Sequence, residues 1–303
     1  RRGRYAIRAA QRYVSRHIPR TGRRHAPLPA NGNIQDQSAS STAVIATRGL
    51  TVGYRETRVF GRFRRRRPDA AAFSRTIPDL TLHAGRIVGL MGHNGAGKTT
   101  LVRTLVGLAK PLDGGILRYG ETASPSELTR HGFLVMQDVN YQLFADSVRG
   151  ELLLSTPYRD EFDAPEDVLQ AADRILADLD LMELSDRHPM SLSGGQKQRL
   201  SLARALADDP AILIMDDTTS AVDMETEAEI QRHLKEMGGS KTIITIAHRI
   251  SSIKDADLIL VLEHGQIVER GDHASLVKSH GRYWEIYKKQ LGMQSGRSQG
   301  YDE

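Results

Sequence analysis

The sequence predicts an α/β fold, a parallel sheet covered by helices, on three observations. First, Gly92-His93-Asn94-Gly95-Ala96-Gly97-Lys98-Thr99 fits G-x-x-x-x-G-K-[ST] and lies between a short buried strand at Arg86–Met91 and a helix over Thr100–Val106. Second, Ala211–Met215 is a continuous apolar run ending in Asp216-Asp217, the pattern of a buried parallel strand that delivers a carboxylate at its C-terminal end. Third, apolar strand-length runs alternate with helical patterns from residue 80 onward.

Taken in order, the chain begins with a basic arm. Residues 1–35 hold nine arginines and no acid, a charge of +9, while the remainder carries −4, so the net +5 belongs to a leader and not to the globular body. Arg4, Arg8, Arg12, Arg16 and Arg20 recur every four residues, one stripe of a basic amphipathic helix suited to anionic lipid or nucleic acid. The preferred reading is a solvated arm or linker, because a lone helix this short is marginal in water. Pro27–Asn33 and Ser38–Thr42 read as flexible linker, so residues 1–43 are arm and linker, 44–291 the domain and 292–303 a tail. A start at Arg1 instead of Met is expected of a processed product or a fragment of something longer.

Val44–Ala46 and Leu50–Val52 predict strands, part of an antiparallel β portion near 44–60 and 80–90. Arg62 and Arg64–Arg67 form a second basic run, read as a solvated surface insertion ahead of an RNA-binding patch. Residues 141–200 break the strand–helix rhythm and predict a helical subdomain, with Leu169, Ile175, Leu176 and Leu179 on the apolar face of a helix over Asp163–Leu181. Ser193-Gly194-Gly195-Gln196 precedes a helix over Lys197–Leu206, a second helix N-terminus suited to phosphate. Two such sites in one chain suggest a nucleotide held between two subunits. No apolar run approaches the roughly 20 residues that span a bilayer, so a membrane role requires a partner. The absence of cysteine excludes disulfides and thiolate metal sites and fits a reducing cytosol.

The glycine-rich loop predicts the chemistry. Its glycines let consecutive N–H groups turn inward on a phosphate, with the helix N-terminus adding partial positive charge behind them. Lys98 would reach the β- and γ-phosphates and the Thr99 hydroxyl would bind Mg²⁺, with Asp216 a second magnesium ligand, direct or through water. The ligand is therefore a nucleoside triphosphate, read as ATP with Mg²⁺.

With these motifs together, residues 44–291 resemble the nucleotide-binding domain of ATP-binding cassette (ABC) transporters, whose fold is a P-loop NTPase core with an antiparallel β portion and a helical subdomain. The resemblance assigns Tyr54 to stacking on adenine and Gly92, Asn94, Gly95, Ala96, Gly97, Lys98, Thr99 and Thr100 to the triphosphate. It assigns Gln137 to sensing Mg²⁺ and the membrane partner, and Leu192 with Ser193, Gly194, Gly195 and Gln196 to closing over the ATP of the opposite subunit. Asp223 matches the loop at that subunit boundary, and His248 the histidine that contacts the γ-phosphate. The implied catalytic set is Asp217, His248, Gln137 and Lys98, with Thr99, Gln137 and Asp216 around the metal.

Three departures qualify the resemblance. The family normally has Glu where this chain has Asp217, a carboxylate roughly 1–1.5 Å shorter in reach, and displacements near 1 Å can cost on the order of a hundredfold. Asp at this place resembles the degenerate half of heterodimeric exporters; the other reading is a slower but working ATPase. Gly92–Gly95 and Val135–Phe144 resemble the ATPases of energy-coupling factor importers, whereas Asp216–Asp223, Ile246–Val261 and Gly281–Tyr287 resemble exporters. A natural mosaic, an engineered chimera and subfamilies that grade into one another all fit that mismatch. The arginine-rich insertion also lengthens the Tyr54-to-Gly92 interval, which weakens Tyr54 as an adenine platform.

The expected function is an ATP-hydrolysing subunit at the cytoplasmic face of the cell membrane, paired with a second ABC ATPase and an integral membrane transport subunit. Import is slightly preferred, because the segment that would face the membrane partner is the importer-like one. The alternatives are a degenerate exporter half, a soluble ABC ATPase acting on nucleic acid or ribosomes, and a regulatory subunit that binds ATP without turnover. Nucleic acid is not the expected partner, since there is one cassette and no long coiled coil.

Overall fold

The computed structural model describes residues 42–55, 71–158, 161–216, 232 and 241–295. The described helices are α1 (Lys98–Leu105), α2 (Pro125–His131), α3 (Val148–Leu153), α4 (Glu166–Asp178), α5 (Gly194–Asp208), α6 (His273–Ser279) and α7 (Arg282–Ser295). The strands are β1 (Ala43–Arg55), β2 (Ala71–Thr76), β3 (Thr81–His83), β4 (Ile87–Gly92), β5 (Asp113–Arg118), β6 (Glu121–Thr122), β7 (Gly132–Val135), β8 (Ile212–Asp216), β9 (Thr242–Ile246), β10 (Leu258–Glu263) and β11 (Gln266–Gly271). The chain folds as two compact units, one of Thr42–Thr129 with Ile244–Glu303, the other containing Arg130–Ile243.

In the first unit β1 is the spine of an antiparallel sheet, pairing with β2, β3 and β5, while β6 pairs with β5. The two strands expected at 44–46 and 50–52 are one. Gly49 adopts φ 57°, where the register with β5 shifts between Arg48 and Thr51, and its N–H donates to Asp79 Oδ1 at 2.8 Å. Val44, Ile45, Leu50 and Val52 of β1 are buried. Strands β2, β5 and β6 were not expected.

The antiparallel expectation for 80–90 holds at β3 but not at β4. Strand β4 runs parallel to β10, with Leu258 opposite Val88 and Leu262 opposite Gly92. Both strands bury four central residues in a row, the continuous apolar pattern of a strand covered on both faces. Asp257 fixes the entry to β4: its carboxylate accepts from the Ile87 N–H at 2.8 Å and from Arg86 at 3.1 Å. Strand β11 returns antiparallel to β10. Helices α6 and α7 follow, and Leu276 and Tyr283 complete a core with Met91, Ile253, Ile259 and Val261. Glu269 receives the N–H groups of Arg282 at 2.6 Å and Tyr283 at 2.8 Å, which satisfies two donors of the first turn of α7. Trp284, the single tryptophan, lies between His280 and Tyr287 with ring centroids 5.2 and 5.8 Å away.

In the second unit β7 and β8 pair in parallel, Val135 opposite Met215. Strand β8 is buried along its whole length, as its sequence predicts. The helical stretch is present as α3, α4 and α5. Helix α4 begins only at Glu166, behind Pro165, and buries Val168, Ala171, Ala172, Ile175 and Leu176. Helix α5 starts three residues before the expected Lys197, because Gly194-Gly195-Gln196 form its first turn. Glu151 of α3 is fully buried, and its carboxylate accepts from Arg204 of α5 at 2.6 Å and from the N–H groups of Phe144 and Ala145 at 2.9 Å each. Such a buried charge is tolerable because both carboxylate oxygens are hydrogen-bonded, one of them to a guanidinium. No helix among the described residues is long and apolar enough to cross a membrane.

Candidate nucleotide site

The first unit carries the glycine-rich loop between β4 and α1. Gly92 adopts φ 152°, and a Cβ there would sit 2.0 Å from the Leu262 carbonyl of the neighbouring strand, so no side chain fits. Gly95 at φ 81° and Gly97 at φ 102° take the left-handed conformations that turn successive N–H groups to one side. Gly97 is the N-cap of α1, and no side chain caps that helix. Lys98 is buried, and its ammonium donates to the carbonyls of Gly92 at 2.6 Å and His93 at 3.0 Å, bracing the loop from within. Asn94 and Gly95 are exposed, Ala96 is buried, and Thr99 and Thr100 are half-buried in the first turn of α1.

Tyr54 stands near the end of β1, 58% exposed, and its ring stacks on Phe73 of β2 at 5.6 Å and 15°. Arg75 lies over Phe73 at 4.8 Å, and a Cβ on Gly97 would touch the Phe73 ring at 3.5 Å. The stacked pair therefore borders the N-cap of α1. Phe73 was missed by sequence reasoning because β2 was; its place as the first aromatic after the arginine-rich insertion was the available signal.

His248 follows β9 and is exposed. The preceding Ala247 donates its N–H to Leu90 O at 3.2 Å, which ties this corner to β4. A cleft of about 480 Å³ is lined by Gly92, His93 and Asn94 of the loop, by His248, and by Arg282, Glu285 and Gln290 of α7. The structure thus brings His248 and the start of the loop into one cleft, with a wall from α7 that sequence reasoning did not foresee.

The second unit holds the remaining described candidates. Gln137 is exposed just beyond β7. Gln142 closes the loop around it, accepting from the Met136 N–H and donating to Leu134 O, both at 2.7 Å. Ser193 Oγ accepts from the Gln196 N–H at 3.3 Å while Gln196 Oε1 accepts from the Ser193 N–H at 2.9 Å, a capping box that closes the N-terminus of α5 on itself. Lys197 reaches from the same turn to Asn140 Oδ1 at 2.9 Å, linking α5 to the Gln137 loop. Asp216 is the buried last residue of β8. Asp217 and Asp223 lie outside the described residues, as do the basic arm and Arg62 with Arg64–Arg67.

Residues 77–220 match the family described as ABC transporter. The chain is 40% identical over 218 residues to an uncharacterized ABC transporter ATP-binding protein, YknU, of Bacillus subtilis, covering 69% of this chain and 36% of that protein. It is 37% identical over 218 residues to the ATP-dependent lipid A-core flippase of Photorhabdus laumondii, covering 70% of this chain and 38% of that protein. A bacterial Atm1-family ABC exporter solved with ATP bound superposes with a TM-score of 0.68 at 28% identity, over 84% of this chain and 43% of that one. The chain spans less than two fifths of the length of these two curated relatives. Flippase and exporter are the functions these names carry, so the preference for import is not supported and the exporter alternative fits better.

Proposed function

We propose, from the premise that residues 77–220 are an ABC transporter ATP-binding domain, that this chain is the ATP-hydrolysing part of an ABC exporter. It would act at the cytoplasmic face of a membrane, with a second ATPase domain and a membrane-spanning portion as partners. The observation that carries the reading is the N-terminus of α1: left-handed glycines, an N-cap residue with no side chain and an internal lysine offer phosphate a set of oriented donors. Tyr54 on Phe73 would stack on the base, and the Gly92–Thr100 segment would hold the triphosphate. His248 and Gln137 would orient the γ-phosphate and water.

Among the described residues no group of three or more His, Asp or Glu side chains could hold a metal alone. Mg²⁺ is usually held by one or two carboxylates, several waters and the substrate phosphates, and we assign Asp216 as the carboxylate with Thr99 and Gln137 as the further ligands. When bound, the ion would neutralise charge between the β- and γ-phosphates. Ser193–Gln196 and Asp223 would serve the ATP of the opposite subunit. Asp217 favours one refinement, a slow site beside a competent partner site in an asymmetric pair.

The test is to tag the chain, solubilise membranes gently and identify the stoichiometric partners. Recovery of a six-helix membrane half fused to its own ATPase supports an asymmetric exporter. A small coupling protein with a substrate-binding membrane subunit returns the importer, and no membrane partner at all sinks the transporter reading. Replacing Asp217→Glu then measures the refinement: a clear rise in ATP turnover supports an impaired site, and no change rejects it.

A further inference from the structure

We infer that α7 is a splint for the corner that carries His248, and that Gln290 is its positioning residue. Gln290 makes two hydrogen bonds to the backbone on either side of Arg249: its Nε2 donates to His248 O at 2.7 Å, and its Oε1 accepts from the Ile250 N–H at 2.9 Å. A side-chain amide is suited to this, since one end donates and the other accepts. On one side of the corner Ala247 is tied to Leu90, and on the other a short 3₁₀ turn begins at Ile250. His248 itself sits between them with its carbonyl in the grip of α7.

The same helix reaches the nucleotide loop at its other end. Arg282, at the start of α7, donates to His93 Nε2 and to Glu263 Oε1 and also pairs with Glu285. One helix thus touches the second residue of the phosphate loop and the histidine corner, two turns apart along its axis, across the cleft both line. Tyr283, buried in the core, and Ile286 and Tyr287, packed against it, hold α7 in place. A displacement of the helix would move the histidine corner relative to the loop, and angstrom-scale errors in such a corner are costly to catalysis.

This inference rests on the ATPase reading, and its test separates the two. Purified chain carrying Gln290→Ala is compared with the parent in ATP turnover, in equilibrium ATP affinity, in melting temperature and in hydrogen exchange at the Ile250 amide. The expected result is a fall in kcat of about tenfold with KM, ATP affinity and melting temperature unchanged, and faster exchange at Ile250. Gln290→Glu keeps the acceptor for Ile250, so it should restore protection of that amide and return part of the turnover. Unchanged turnover or unchanged exchange in Gln290→Ala overturns the splint. So does a joint fall of affinity and melting temperature, which is the mark of a merely structural residue. A parent chain that neither binds nor hydrolyses ATP sinks the proposed function, while exchange at Ile250 still judges the clamp.

Discussion

The two helix N-termini that the sequence marks as phosphate sites, those of α1 and α5, are built in opposite ways. Helix α1 begins at a left-handed glycine, an N-cap residue that has no side chain with which to close the helix start. Helix α5 begins with a complete capping box, Ser193 and Gln196 each satisfying the other's backbone. A phosphate at α1 meets donors already oriented, whereas a phosphate at α5 has to share or displace Ser193 Oγ and Gln196. The difference teaches that a helix start in a sequence signals orphan donors, and only the cap geometry says whether they are spoken for.

That contrast can be broken at several points. The largest effect is expected from Glu151→Ala, which leaves Arg204 of α5 and two backbone N–H groups without their buried acceptor. Denaturant unfolding should register a loss of about 3–5 kcal/mol; a loss below 1 kcal/mol would show that α5 is not anchored this way. Next is Lys98→Ala, which removes the charge at α1 together with its brace on the Gly92 and His93 carbonyls. Phosphate release and nucleotide binding should fall on the order of a hundredfold or more, and unchanged values would remove α1 from the mechanism. Ser193→Ala opens the cap of α5 and should cost about 1 kcal/mol of stability. If melting is unaffected, the capping box contributes nothing and the two termini are less different than they look.

The smallest effect concerns the core against which α7 packs. Tyr283 is fully buried, 2.7 Å from His273 Nδ1, and its phenol pKa is raised first by burial and then by the neighbouring Tyr287. A raised folded-state pKa means the neutral phenol's contribution is fully present below about pH 10. It is lost as pH climbs from there toward the folded value. Melting temperature should therefore drop more steeply above pH 10 in the parent than in Tyr283→Phe; parallel curves would refute the assignment.

Legibility followed the range of the contacts. The loop from Gly92 to Thr99 and the apolar run of β8 were readable because each is a local pattern of a few residues. The start of α5 was misjudged because Gly194 and Gly195 resemble loop until Ser193 is seen to cap them. Strand β2, and with it Phe73, was missed because its pairing with β1 is made across the insertion, Tyr54 opposite Phe73. The partners Gln290 and His248 are 42 residues apart, and Glu151 and Arg204 are 53 apart. Neither pair leaves a periodic or motif signal, so only the folded backbone reveals them.

Helix α7 also carries the chain's lone indole, Trp284, flanked by an imidazole and a phenol. That neighbourhood turns the helix into its own spectroscopic gauge. Selective excitation of tryptophan interrogates only this segment, with no dye and no substitution, and the His280 ring beside it makes its emission sensitive to local geometry. Emission recorded during a rapid mix with nucleotide would report the movement of α7 in real time.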